Sequence, residues 1–353
     1  MTQTTDADTP RSPSGASFLS EVKDAVTPRA TLLVIAVLAL QLLFIASYVG
    51  ALHNPNPRDV PFGVVAPPAV AGQAVTRLDH LPGSPLDPRA LPDAATARHQ
   101  IENRDIDGAL VIDPAGRTDT LLVASGGGRV LATVLENLTT ALEASQQRAI
   151  RTVDVAPASR TDFNGLTSFY LVVGWCVGGY LCASILAIST GARPANPRRA
   201  VIRLGALALV AVVGGLGGAI IVGPILDALP GSVPALWGLG ALITFAVGAA
   251  TLALQELFGI VGIGLAILLV VIAGNPSAGG AFPLPLLPPF WQVIGPALPP
   301  GAGTWAARSI AYFNSNDMTT ALLTLGAWAL AGIVITLVAS RVRHGQPTKA
   351  PGV

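Results

Sequence analysis

Long apolar runs alternate with short polar links along most of this chain. A helix needs about 20 mostly apolar residues to cross a bilayer core. Residues 30–52, 167–190, 200–229 and 319–340 each reach that length. Residues 234–274 run apolar for about twice a span. Only Gln255 and Glu256 interrupt them, just before Phe258 and Gly259. Two spans, 234–255 and 257–274, are predicted there, joined by a tight turn at an interface. The fold class expected is an α-helical polytopic membrane protein with six transmembrane helices. The first run follows about thirty mostly polar residues and exceeds the roughly 7–15 residues of a signal-peptide core. A retained anchor is expected.

Residues 53–166 follow a different pattern. They hold ten arginines and thirteen acids, most of the charge in the chain. A buried strand is predicted at 60–65 (VPFGVV) and a helix at 94–103. Strands at 108–112 and 120–124 flank the polar turn DPAGRTD. A long helix at 129–148 carries Val130, Leu131, Val134, Leu135, Leu138 and Leu142 on one stripe. These elements make a small α/β domain between the first and second spans. Residues 81–92, rich in proline, are predicted to be irregular. At the start of the chain, residues 1–16 are polar and predicted disordered. In residues 17–29, Phe18, Leu19, Val22, Ala25 and Val26 recur at helical spacing. That segment is either an amphipathic helix at the inner interface or a solvated one.

Basic residues in short links set the orientation. The link GARPANPRRAVIR holds Arg193, Arg198, Arg199 and Arg203 and no acid. Lys23 and Arg29 precede the first span, and Arg341, Arg343 and Lys349 follow the last. The intervening links hold only Asp227, or Arg308 with Asp317. All the basic segments then fall on one side, which makes both termini cytoplasmic and places the α/β domain outside.

Composition agrees: 51% of the residues are hydrophobic and 12% charged, against roughly a quarter charged in a soluble domain. Net charge is +1, so no nucleic-acid partner is expected. Arginine outnumbers lysine nineteen to two, a bias that fits a GC-rich bacterial genome. Cys176 and Cys182 are six apart in one apolar run, lie on different helix faces and cannot pair. The four histidines, His53, His80, His99 and His344, have no ligand-like spacing. Neither lysine follows a glycine, so no ordinary phosphate loop exists. HExxH and GxSxG are missing as well. No catalytic, metal or cofactor site of its own is expected, and the chain is not expected to be an enzyme. Two polar side chains inside apolar runs, Gln41 and Glu256, are candidates for a transport pathway. Interhelical packing and an interfacial carboxylate are their alternative readings. The pairs Gly174/Gly178 and Gly214/Gly218 allow close helix approach, within one subunit or between two.

The stretch NPSAGGAFPLPLLPPFWQVIGPALPPGAGTW carries eight prolines and no charge. Interior prolines forbid a straight helix, yet the stretch is too apolar for an ordinary loop. Together with IENRDIDGALVIDP and DFNGLTSFYLVVGW, and with the order of parts, it resembles the permease subunits of ABC-2-type exporters. The likeness is to the branch of phage infection protein (YhgE/Pip)-like membrane proteins, over about residues 18–343. The resemblance implies a re-entrant segment at 276–313, dipping into the outer leaflet near the exit of the pathway. Pro288 and Pro289 would open a short helix through Phe290 and Trp291, and Gly295 would stop it. Pro300 and Gly301 would lie in a turn before a returning helix through Trp305. Trp291, Trp305 and Tyr312 would anchor at headgroup level. A proline-rich loop lying flat on the membrane is the alternative. The resemblance also implies that Arg193, Arg198, Arg199 and Arg203 belong to a loop docking on a separate nucleotide-binding ATPase subunit, where ATP is bound. A second permease copy or paralogue would complete the transporter in the bacterial cell membrane, with an unknown, hydrophobic or amphipathic cargo. The competing expectation is a non-transporting envelope protein whose external domain binds a ligand, a protein or a phage.

Overall fold

The computed structural model describes residues 27–194 and 196–344. The predicted tail at 1–16, the amphipathic pattern at 18–26 and residues 345–353 lie outside the described residues. The chain divides into two units, the first ending at Ala46. The described part of the first unit belongs to helix α1 (Pro28–Leu52). Apolar side chains occupy every face of α1, which suits a membrane span. Gln41 is exposed on it.

In the second unit, eight elements build the small domain. They are β1 (Val60–Val65), α2 (Pro68–Asp79), β2 (Leu86–Leu91), α3 (Ala94–Glu102), β3 (Gly108–Val111), β4 (Thr118–Val123), α4 (Arg129–Ala144) and β5 (Ala149–Asp154). The strands form one sheet in the order β2-β1-β3-β4-β5. β1 runs parallel to β2 and β3, β4 runs parallel to β5, and β3 and β4 form an antiparallel hairpin with Leu110 opposite Leu121. Side chains alternate across the sheet. Phe62, Val64, Leu110 and Leu121 pack under Leu78 of α2 and Leu131 and Leu135 of α4. Ala109 and Leu122 face the other way, against Ala97 and Ile101 of α3. Gly63 lies on that second face, where a methyl group would come within 2.6 Å of Leu91 Cδ1.

Within residues 81–92, predicted irregular, residues 86–91 form strand β2. Pro88 sits opposite Phe62 at the sheet edge. An edge strand pairs on one side alone and so tolerates a missing N–H. Helix α4 stops at Ala144, short of the predicted residue 148. Gln147, at φ +56, turns the chain into β5.

The long apolar helices follow. They are α5 (Thr167–Thr190), α6 (Pro197–Ile220), α7 (Val233–Phe258) and α11 (Thr319–His344). Helix α6 continues as a wider π turn at Ile221–Ile225 around Pro224, which has no N–H to give. With α1, these make five helices long and apolar enough to cross a membrane among the described residues. The chain is thus a mostly helical, polytopic membrane protein carrying a small sheet.

The long run after Ser232 breaks later than predicted. Helix α7 continues through Gln255 and Glu256, which are buried, and the turn falls at Gly259 with φ +64. Gln255 is held inside by donating to the Ala183 carbonyl at 3.2 Å. The apolar helix beyond, Val261–Ser277, is shorter than the other spans. It begins as α8 (Val261–Ile267) and widens to a π-helix at Leu268–Gly274.

Helix α7 is central. Gly215 of α6 lies against Ala241, with room for no side chain, since a methyl there would come within 2.6 Å of the Ala241 nitrogen. Gly179 of α5 meets Gly248 in the same way. The predicted glycine pairs are thus one position out of phase at these contacts. A methyl group on Gly174 or Gly214 would meet nothing within 4 Å, and Gly218 packs on Trp175.

The proline-rich stretch folds as short pieces. Pro288 and Pro289 start helix α9 (Pro289–Ile294), as predicted, and Gly295–Ala297 is a single 3-10 turn. The next helix, α10 (Pro299–Tyr312), begins earlier than expected. Pro300 and Gly301 form its first turn rather than a connecting loop, because proline suits a helix start where N–H groups have no partner.

Candidate functional site at the seat of the sheet domain

The sheet domain rests on the broken segment and on α10. The Arg58 N–H donates to the Pro285 carbonyl at 3.0 Å. Leu286, from the proline-rich stretch, is 1% exposed and belongs to the core of the sheet domain. Gly126 abuts Tyr312, and a methyl group on it would come within 2.6 Å of that ring. The domain is therefore built into the membrane part.

Arg308 of α10 is the internal tie. It is 4% exposed. Its Nη1 donates to the Gly279 carbonyl at 2.7 Å, and its Nη2 to Gly280 at 2.9 Å and Gly165 at 3.4 Å. One guanidinium thus joins α10, the broken segment and the approach to α5. Asp162 completes that corner. Its Oδ1 accepts from the backbone N–H groups of Leu166 and Thr167 and from the Thr167 hydroxyl, capping α5. Its Oδ2 accepts from the Tyr312 hydroxyl at 3.2 Å.

A second arginine reaches in from the sheet domain. Arg104 follows α3 with φ +65. Its Nη1 donates to the Trp305 carbonyl at 2.9 Å and to Ser309 Oγ at 2.7 Å. Its guanidinium lies 3.3 Å from the centre of the Trp305 ring and 4.8 Å from that of Phe313, within cation–π range. The Trp305 indole N–H donates to the Asp317 carbonyl at 2.9 Å.

Between these groups lies a cavity of about 370 Å³. Arg104, Asp107, Trp305, Arg308 and Asp317 line it, amid mainly apolar neighbours such as Pro283 and Leu284. Burial lowers the Arg104 guanidinium to about 9, helped by repulsion from Arg308. Burial also pushes the Asp107 carboxyl up to about 6, against the attraction of Arg104. Each charge is disfavoured where it stands. Paired shifts of this kind in one cavity mark a candidate site.

The sequence-predicted site residues are distributed differently. Trp305 is inside this cavity, while Phe290 on α9 is 63% exposed. Trp291 stacks edge-on against Phe290 with ring centres 5.0 Å apart. Trp305 and Tyr312, expected as headgroup anchors, instead bond Asp317 and Asp162, because the sheet domain covers them. Gly295, Pro300 and Gly301 are buried together behind α9.

At the far end of the helices, Arg198 and Arg199 are exposed. Arg193 donates to the Leu257 carbonyl at 3.0 Å. Arg203, predicted with them as a docking residue, is turned inward. It is 5% exposed and donates to Gly191 O and Thr190 Oγ1, both at 2.6 Å, closing the end of α5. Glu256 is 3% exposed and pairs with Arg343.

Sequence reasoning passed over Arg104, Asp107 and Asp317. Arg104 and Asp107 stand in the quoted IENRDIDG, but nothing local marks them as facing Trp305. Among the described residues no group of His, Cys, Asp and Glu is arranged to hold a metal ion. Comparison with protein-family models, with curated proteins and with solved structures finds no match for this chain.

Proposed function

We propose that the chain is the membrane-spanning permease subunit of an ABC-2-type exporter, similar to the phage infection protein-like branch. A separate ATPase subunit supplies the energy, and a second permease copy or paralogue completes the pathway. The observation that carries this reading is the two-ended arrangement of the helices. One end bears the sheet domain, the broken segment and the cavity. The other bears exposed Arg198 and Arg199 beside the Glu256–Arg343 pair. By the positive-inside rule the arginine end is cytoplasmic and the sheet domain lies outside. Helix Val261–Ser277 then serves as the fifth of six crossings. At 1.5 Å per residue its 17 residues would reach about 26 Å, an upper bound because Leu268–Gly274 is a wider π-helix, against the roughly 30 Å of a bilayer core. With no nucleotide motif in the chain, ATP belongs on the partner, and Arg198 and Arg199 are exposed to meet it.

Two measurements test the proposal. In a background of Cys176→Ser and Cys182→Ser, cysteines at Asp87 and at Arg199 should label from opposite sides of the cell membrane. Purification in mild detergent should bring down an ATPase subunit, and Arg198→Glu with Arg199→Glu should release it. Labelling of both cysteines from one side would overturn the topology. Purification without any ATPase would overturn the exporter reading. The second reading, an envelope protein whose external domain binds a ligand, is favoured by one observation: the sheet domain supplies Arg104 and Asp107 to the cavity. Deleting residues 54–160 distinguishes the two. A receptor loses all function, whereas an exporter keeps its ATPase association.

A further inference from the structure

We propose that the cavity between the sheet domain and α10 binds a zwitterionic amphiphile, a head carrying one anionic group and one amine on an apolar body. Four charged side chains line it, two of each sign: Arg104, Arg308, Asp107 and Asp317. Their free valences differ. Arg308 spends both terminal nitrogens on three backbone carbonyls, so its role is structural. Arg104 uses Nη1 alone, which leaves Nη2 and Nε without a hydrogen-bond partner among the described residues. The carboxylates of Asp107 and Asp317 likewise accept no hydrogen bond and form no ion pair among the described residues. Arg104 and Asp107 are half-buried and Asp317 is exposed, so these groups are open to a ligand that enters the cavity.

The charge pattern selects the ligand. A purely anionic molecule would sit against two carboxylates, and a purely cationic one against two guanidiniums. A zwitterion satisfies both, its anionic group on Arg104 Nη2 and Nε and its amine on Asp107 and Asp317. The rest of the wall is mainly apolar, including Pro61, Leu284 and the exposed part of Trp305, and it suits a hydrocarbon body. The volume of about 370 Å³ lies in the range of ligand pockets, roughly 300–1,000 Å³. The cavity reaches Thr320 and Ala321 at the start of α11, where the chain re-enters its apolar span. A ligand with its tail in the outer leaflet can therefore place its head here.

This inference deepens the exporter reading by naming the class of cargo, and it rests on that reading only for transport. Binding is tested on the full chain in anionic phosphatidylglycerol nanodiscs. The probes are lysophosphatidylethanolamine, lysophosphatidylglycerol, dodecylamine and, for the head alone, glycerophosphoethanolamine. Quenching of Trp305 fluorescence is the signal, with Trp305→Phe as its control. Lysophosphatidylethanolamine should bind at least about tenfold more tightly than either singly charged amphiphile. Asp107→Asn and Asp317→Asn should each weaken it by about tenfold. Asp317 is exposed, so that variant leaves the fold intact. Weak binding of the head alone identifies a membrane source, and equal binding identifies an aqueous zwitterion of the same chemistry. Equal binding of all the charged amphiphiles, or no effect of either aspartate substitution, would overturn the site. Because no ATPase is needed, the outcomes separate. Selective binding without an ATPase partner defeats the exporter reading alone, and an ATPase partner without selective binding defeats this one alone.

Discussion

Replacing Asp107 by asparagine should make the protein more stable at neutral pH. The side chain keeps its shape, and the change removes a charge that the cavity wall disfavours. Its carboxyl is pushed from 3.8 up to about 6 by burial, even with Arg104 pulling the other way. The folded state thus holds this proton more tightly than the unfolded chain does. The associated stabilisation is complete below a pH of about 4 and is lost as the pH rises through about 6. Above that, ionised Asp107 costs the fold up to about 3 kcal/mol. Its partial exposure to the cavity reduces this to about 2 kcal/mol.

The structure also supplies the assay. Cys176 is free and 1% exposed, so in a Cys182→Ser background, which removes the half-buried second thiol, a thiol-reactive dye reports the loss of the helix core on heating. Asp107→Asn should melt several degrees above wild type at pH 7.5. The gap should close as the pH falls towards 4, where wild-type Asp107 is neutral as well. A variant equal to or weaker than wild type at pH 7.5, or a gap that ignores pH, would refute the reasoning. The first result would mean that Asp107 has a compensating partner, and the second that its proton is not involved. A side chain kept at such a cost suits a binding role, since perturbed ionisation of this kind gathers at functional sites.

Three further perturbations follow from the packing. Asp119 is 0% exposed and accepts from Arg148 Nε and Nη2 at 2.6 Å each; Arg148→Ala strands that charge and should cost about 3–5 kcal/mol, read as a lower melting temperature. Leu286→Ala removes a side chain that the membrane segment lends to the sheet-domain core, at about 2–5 kcal/mol, and should speed limited proteolysis near residues 155–166. Arg343→Met alone leaves Glu256 buried without its partner and should destabilise by about 3–5 kcal/mol, whereas adding Glu256→Gln should restore much of the loss; equal melting of the single and double variants would count against the pair.

The parts legible in the sequence are those whose cause is local. A bilayer dictates both the length and the composition of a span, so both ends of α5 and the start of α11 could be placed to the residue, while α11 runs on to His344, past the predicted 340. Strand β1 was readable because its run VPFGVV is apolar enough to be buried on both faces. Strand β2 was hidden, since Pro88 argues against a strand unless the edge position is known. Helix α2 and strand β5 carry no strong period and left no signal. The break after α7 was misplaced for a tertiary reason. Gln255 and Glu256 look like interface residues until the first is seen to donate to the Ala183 carbonyl and the second to pair with Arg343. The same holds for Trp305 and Tyr312. Aromatic residues beside a span are commonly belts at the headgroups, but here a separate domain lies over them. The cavity is the extreme case. Arg104 and the Trp305 carbonyl are 201 positions apart, and their meeting depends on the sheet, on α3 ending in a left-handed turn, and on the seat that Arg308 organises. A charge on a soluble domain becomes a wall of a site only when that domain is lowered onto the membrane helices. Local periodicity therefore reveals the two surfaces, while the site between them exists only in the assembled fold.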